Sequence, residues 1–207
     1  MFASFEGIEG SGKSTLVTGL ADRLRASGTD AVVTYEPGGT PLGNAVREVL
    51  LDRYFGSAEM TPMAEAFLMN ASRAELVARV IRPALHEGRV VLCDRYTDST
   101  LAYQGYGRGL DLPTLRLLCL ASTGGLEPDL TFLLDVPVDL SHTRMGERGN
   151  LNRLDRAGEG FLQRAREGYL ALAKASGRWS VLDATLPANE LLERAWTIVR
   201  ERVAALA

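Results

Sequence analysis

Short apolar runs alternate along this chain with stretches in which apolar residues recur every three or four positions. Phe2 to Phe5, Ala31 to Tyr35, Val90 to Asp94, Leu130 to Asp135 and Trp179 to Asp183 are too short for helices and predict strands. From Lys13 onward Leu16, Leu20 and Leu24 recur at helical spacing, and helical character extends over Pro41 to Leu51, Met63 to His86, Leu112 to Ala121, Asp139 to Gly146, Gly160 to Ala175 and Ala188 to Ala205. Pro83 is expected to end or kink the long stretch from Met63. Such alternation is how βαβ units on a parallel sheet look in sequence. No repeat, low-complexity tract or linker interrupts residues 1–207. The expected architecture is therefore one α/β domain, a five-stranded parallel sheet with helices on both faces. Ligands of such sheets collect beyond the carboxyl ends of the strands.

The first apolar run leads into FEGIEGSGKST, where Gly7 to Ser14 fit the phosphate-loop pattern G-x-x-x-x-G-K-[ST] between a strand and a helix. Its glycines let successive backbone N–H groups converge on a polyphosphate at a helix N-terminus, where the macrodipole favours negative charge. Gly7, Glu9, Gly10, Ser11, Gly12, Lys13, Ser14 and Thr15 form the candidate donor-nucleotide site. Lys13 would reach the β- and γ-phosphates, and Ser14 would offer its hydroxyl to Mg²⁺. A glycine turn with a solvated lysine is the plainer reading, and the full pattern in this context outweighs it.

Composition narrows the class. A chain of 207 residues suits one domain that buries roughly 70% of its unfolded surface without a covalent staple. Cys93 and Cys119 lack paired or metal-binding spacing and read as reduced core thiols of a cytoplasmic protein. No signal peptide and no membrane-spanning run are expected. A formal net charge of -3 and a pI near 5.5 argue against a general nucleic-acid surface. A small phosphorylated molecule is the expected partner.

A second constellation is VVLCDRY, Val90 to Tyr96. Its apolar strand delivers Asp94 to the carboxyl edge of the sheet, where a carboxylate holds Mg²⁺ directly or through water. Arg95 follows with a planar fork suited to phosphate. Asp135 also ends an apolar run, but the adjacent arginine and the polar segment TDSTLAYQGYGRG favour Asp94.

Taken together, FEGIEGSGKST, EPGGTPLGNAVREVLL, DRYTDSTLAYQGYGRG, EPDLTFLLDV and RGNLNRLD followed by LDAT make the chain resemble the bacterial thymidylate kinases of the P-loop nucleoside-monophosphate kinase superfamily over nearly its whole length. The resemblance implies a P-loop kinase fold with a short mobile lid at about 144–156, transfer of a phosphoryl group from ATP to dTMP, a Mg²⁺ requirement and a homodimer. It also implies residue roles. Glu36 and Pro37 would border the acceptor, Arg47 and Arg95 bind its phosphate, and Glu9 lie near that phosphate or its sugar. Arg73 would hydrogen-bond thymine, Thr100 and Gln104 face the base, and Tyr103 pack near the 2′ position. Alone, Arg47 reads as a solvated helix charge, Glu9 as a loop carboxylate and Tyr103 as a core aromatic.

Departures from the family pattern matter. Met69 stands where relatives commonly stack Phe on the base, while Phe67 would point elsewhere on a regular helix. Tyr35 takes the place of an arginine, which weakens a phosphate contact there. Ile8, Glu9, Gly10 and Ser11 supply no phosphate-loop arginine, so the lid segment with Arg144, Arg148 and Arg153 should supply transition-state charge. Arg153 ranks first and Arg148 second, and Asn152 replaces an aspartate often seen before that arginine. Another small-molecule kinase on the same fold is the nearer alternative. A noncatalytic nucleotide switch is the more distant one, and the sequence shows neither an N-K-x-D base reader nor a D-x-x-G turn at the strand-end Asp94.

Overall fold

The computed structural model describes residues 1–51, 60–149 and 158–205. The strands are β1 (Phe2–Glu6), β2 (Ala31–Tyr35), β3 (Val90–Asp94), β4 (Leu130–Asp135) and β5 (Trp179–Asp183). They form one parallel sheet in the order β2-β3-β1-β4-β5. β1 sits at the centre, and the chain builds first one flank and then the other. The carboxyl ends of β1, β3 and β4 therefore meet at a topological switch point. The register sets Phe5 beside Asp94 and Glu6 beside Leu133, so the segments after β1 and β3 emerge side by side.

Strands of a parallel sheet are covered on both faces, which is why they read as continuous apolar runs. Along β3, Val90 and Leu92 join the cluster containing Leu16, Leu20 and Leu24 of α1 (Lys13–Ala26). Val91 and Cys93 point the other way, into a cluster with Phe2, Leu76 and Ile81. The remaining helices are α2 (Pro41–Leu50), α3 (Pro62–Leu76), α4 (Arg82–His86), α5 (Thr97–Thr100), α6 (Leu112–Thr123), α7 (Val138–Arg148), α8 (Glu159–Lys174) and α9 (Ala188–Ala204). Among the described residues no helix is long and apolar enough to cross a membrane.

Two helical expectations need correction. The stretch from Met63 to His86 is not one α-helix ended by Pro83: a π-helical segment, Val77–Ile81, separates α3 from α4, and Pro83 lies in the first turn of α4. Proline lacks an N–H and its ring crowds the carbonyl four residues back. The π segment widens the ladder before it, with Arg82 N–H donating to Val77 O, and the chain stays helical to His86. The polar segment after Tyr96, for which no helix is expected, is α5 followed by a second π segment, Leu101–Gly107.

Candidate active site

The phosphate loop runs from β1 into α1. Gly7 has φ 138° and Gly10 φ 69°, and added Cβ atoms would lie 2.6 Å from Leu134 O and 2.8 Å from Ser141 O. Backbone from β4 and α7 thus dictates glycine at both positions. Ser141 Oγ donates to Glu9 O at 2.7 Å, and Arg144 Nη1 donates to Gly10 O at 3.3 Å and Ala184 O at 2.9 Å. Arg144, counted with the lid in the sequence, belongs to α7 and pins the loop to the end of β5. Lys13 is buried and folds back into its own loop, donating to Gly7 O, Ile8 O and Ser11 Oγ at 3.0, 2.9 and 3.2 Å. Burial, with the like charge of Arg95, lowers its ammonium to about 8. Incoming phosphate oxygens would take over acceptor positions now held by these three atoms.

A cavity of about 580 Å³ opens beside Gly10, Gly12, Thr15, Arg144, Ala184 and Asn189. A second, of about 400 Å³, is lined by Ser14, Thr34, Tyr35, Glu36, Arg47 and Asp94. In the second, Ser14 Oγ donates to Asp94 Oδ2 at 2.6 Å. One hydroxyl and one carboxylate in contact are the protein share that Mg²⁺ takes beside phosphates, with water completing its shell. The pair fits that ion, and among the described residues no cluster of three or more His, Cys, Asp or Glu offers a rival site. Asp135, which ends β4, is instead held bidentately by Arg166 at 2.6 and 2.9 Å.

Arg95 has φ 73° and is the only described non-glycine residue with positive φ. Such backbone costs about 1–3 kcal/mol and persists where surroundings over-determine it. Its Nη2 donates to Glu9 Oε1 at 2.8 Å and Tyr103 Oη at 3.2 Å, while Tyr103 Oη donates to Glu9 Oε2 at 2.5 Å. Three residues from the loop, the DRY turn and a π segment converge here. Arg47, from α2, donates through Nη1 to Pro37 O at 3.0 Å and lies 5.4 Å from the centre of the Tyr35 ring. Tyr35 Oη in turn donates to Asn44 Oδ1 at 3.1 Å.

The residues expected to face the base are more deeply enclosed. Arg73 is 1% exposed and every nitrogen is engaged: Nε with Glu36 Oε2 at 2.8 Å, Nη1 with Asn70 Oδ1 at 3.1 Å, and Nη2 with Tyr96 O at 3.0 Å and Glu36 Oε2 at 2.7 Å. Burial raises the Glu36 carboxyl, against the pull of Arg73. A thymine contact from Arg73 would use the Nη1 N–H that now meets Cys119 Sγ at 3.7 Å or exchange one of these partners. Gln104 is likewise buried, with Nε2 donating to Glu65 Oε1 at 2.6 Å, and Thr100 is buried beside it in the chain. Met69 is half-buried, whereas Phe67 is 55% exposed and faces away from it, as i, i+2 spacing dictates. Arg148 ends α7 but its side chain lies outside the described residues, as does the whole of Arg153.

Several residues of the network carry no role in the sequence reading: Glu6, Ser99, Tyr169, Tyr35 as a platform for Arg47, and the Asp98–Arg178 pair at 2.8 and 2.9 Å. Glu6 alone leaves a sequence signal, a carboxylate closing a strand that is apolar but for Ser4.

A central parallel sheet, a glycine loop at its switch point, a hydroxyl–carboxylate pair and an arginine lining a second cavity define a P-loop phosphotransferase. The thymidylate kinase family model matches residues 5–195. The chain is 52% identical over 203 residues to the thymidylate kinase of Deinococcus radiodurans, covering 98% of this chain and 97% of that protein. The enzyme of Desulfovibrio desulfuricans is 52% identical over 200 residues (93% and 91%), and that of Thermomicrobium roseum 50% over 202 (97% and 94%). The chain belongs to the thymidylate kinase family.

Proposed function

We propose that the chain transfers the γ-phosphoryl group of ATP in line to a phosphate oxygen of dTMP, giving dTDP and ADP, with the residue roles that follow. The observation that carries this reading is the convergence of the phosphate loop, the Ser14–Asp94 pair and Arg95 at the carboxyl ends of β1 and β3 in a chain of this family. The acceptor phosphate is already nucleophilic near neutral pH, so no protein base is needed, and the protein's work is positioning and charge stabilisation. Lys13 and the loop N–H groups of residues 10–15 hold the donor phosphates, and the larger cavity takes the adenosine. Ser14 and Asp94 would hold Mg²⁺, which supplies charge neutralisation on the β- and γ-oxygens. Arg95 and Arg47 fix the acceptor phosphate beside Glu36 and Pro37. Glu9 and Tyr103 border its sugar, and Met69, Arg73, Thr100 and Gln104 its base.

Arg153, with Arg148 second, supplies the cation that meets equatorial charge in the transition state from a lid at about 144–156. Two copies of the chain associate as a homodimer. The free, buried Cys93 and Cys119 suit a reducing cytoplasm.

A coupled assay with ATP and a panel of monophosphates tests the acceptor assignment. One methyl group distinguishes thymine from uracil and a pocket rewards it by about 1–3 kcal/mol, so dTMP should exceed dUMP only about 10- to 200-fold. Tyr103, hydrogen-bonded to Glu9 and Arg95, would occupy the space of a 2′-hydroxyl, so UMP should be far poorer. Tyr103→Ala should narrow the dUMP-to-UMP gap and leave the methyl preference standing. An unchanged gap removes Tyr103 from sugar selection.

A further inference from the structure

Glu6 ends β1, one residue before the phosphate loop, and is fully buried. Buried carboxylates need partners. This one has three donors: Tyr96 N–H to Oε1 at 2.8 Å, and Ser99 Oγ–H and Tyr169 Oη–H to Oε2 at 2.6 and 3.2 Å.

Every one of these donors leads to Arg95. Tyr96 N–H belongs to the peptide that follows Arg95 at its left-handed backbone position. The peptide before it is held by Phe5 O, which accepts Arg95 N–H at 2.9 Å, and Arg95 O accepts from the Cys93 thiol at 3.1 Å. Glu6 supplies the third tie on this turn. In the side chain, Arg95 Nη1 donates to Ser99 Oγ and Tyr169 Oη at 3.2 Å each. A hydroxyl has one proton. When that proton runs to Glu6, the lone pairs are left facing the guanidinium. The two hydroxyls are 2.7 Å apart and one can donate to the other, but the chain of donation still ends on Glu6.

We infer that Glu6 is a positioning residue of the acceptor site: through Tyr96 N–H and the Ser99 and Tyr169 hydroxyls, its carboxylate fixes the turn and the guanidinium direction of Arg95, leaving the Nη2 edge toward Glu9 and Tyr103. The inference rests on the reading of Arg95 as an acceptor-phosphate ligand.

The charge of Glu6 is what makes the arrangement work. Glu6→Gln keeps the shape, and its amide oxygen can still accept from Tyr96. The other position then becomes an NH₂ donor, which turns the two hydroxyl protons toward Arg95 and opposes its Nη1. The charged and titratable groups facing Glu6 are Asp98 of α5, Arg95 after β3, Cys93 of β3, Lys13 of α1 and Tyr169 of α8. Burial, with Asp98 second, pushes the Glu6 carboxyl up to about 7, so its charged form is lost within the ordinary assay range.

Steady-state kinetics from pH 6 to 9 on wild type, Glu6→Gln and the double variant Ser99→Ala/Tyr169→Phe test the relay, with thermal melts showing that each is folded at the assay temperature. A charge-assisted hydrogen bond is worth about tenfold or more when lost. At pH 8, Glu6→Gln should raise KM for dTMP about tenfold and leave KM for ATP within about twofold. The wild-type to Glu6→Gln ratio of kcat/KM for dTMP should shrink as pH falls below about 7. Titration of the substrate phosphate is common to both proteins and cancels in that ratio. The double variant should reproduce the split between the two substrates, and it carries the test if Glu6→Gln does not fold. Unchanged dTMP kinetics, an equal loss for both substrates, or a ratio flat across pH would overturn the inference. Wild type that ignores dTMP but phosphorylates another monophosphate overturns the acceptor reading instead, and the Glu6 comparison is then made on that acceptor.

Discussion

Arg47 is held by one hydrogen bond to Pro37 O and by the face of Tyr35, which is itself 41% exposed. Gly38 lies against that ring, where a Cβ would collide with it. A cation over an aromatic face at an exposed site is worth about 0.5–1 kcal/mol. Tyr35→Leu should therefore raise KM for dTMP about two- to fivefold with kcat nearly unchanged. Isothermal titration with dTMP checks this: an affinity equal to wild type would mean that the ring does not position Arg47. The departure from arginine at this position thus need not empty it of function. Tyr35 was legible only as a missing contact, because the stacking partner comes from the next helix. The same holds for Arg95. Its place after Asp94 is plain in DRY, but Ser99 and Tyr169 stand 70 residues apart and meet only in the fold. Pattern alone makes Lys13 a candidate phosphate ligand, whereas its engagement with Gly7 O and Ile8 O depends on loop conformation, which letters do not carry.

At the level of elements, α8 and the second π segment meet more closely than side chains ordinarily allow. The ring of Tyr106 rests on Gly168, and Phe161 rests on Gly107. Gly168→Ala sets two effects against each other. Alanine favours the helix by about 1 kcal/mol. Its methyl would lie 2.6–2.8 Å from Tyr106 Cγ, Cδ2 and Cβ, the stiff root of that side chain, and overpacking costs about 1–3 kcal/mol. The clash should win, lowering Tm by about 2–6 °C for a chain of this size. Tyr103 and Gln104 ride on the displaced segment, so KM for dTMP should rise more than KM for ATP. A higher Tm would show that the segment gives way freely. None of this packing was readable beforehand. All five strands were, because strands covered on both faces must be apolar throughout and leave runs bounded by turns. A π segment keeps nearly the helical apolar period, so Val77–Ile81 is hidden within a longer helix, and only Pro83 hints at it.

Among the described residues, three neighbouring helices expose large apolar side chains that the core does not use. Single exposed leucines are ordinary. Here Leu42 of α2, Phe67 of α3, and Leu117 and Leu120 of α6 are 52%, 55%, 66% and 57% exposed, on helices packed in the order α2–α3–α6. A closed two-fold interface uses the same patch on both copies, so the four side chains count twice. Covering the exposed half of each contributes about 1 kcal/mol, or about 8 kcal/mol for the pair of copies. Association costs about 4–15 kcal/mol, so a dimer resting on this face has little surplus and depends on these residues. Light scattering of the wild type should give twice the mass of the 22.4 kDa chain, and Leu117→Glu/Leu120→Glu should give the single-chain mass with the same helical circular dichroism. α3 also carries Met69 and Arg73, and α6 packs against it through Cys119 beside Arg73, so these helices also carry the residues proposed to border the base. The monomeric variant should accordingly lose acceptor affinity while its ATP affinity stays within about twofold, because the cavity proposed for ATP lies at α1 and α9. A wild type that is monomeric at micromolar concentration, or a double variant that remains dimeric, would place the association elsewhere or remove it.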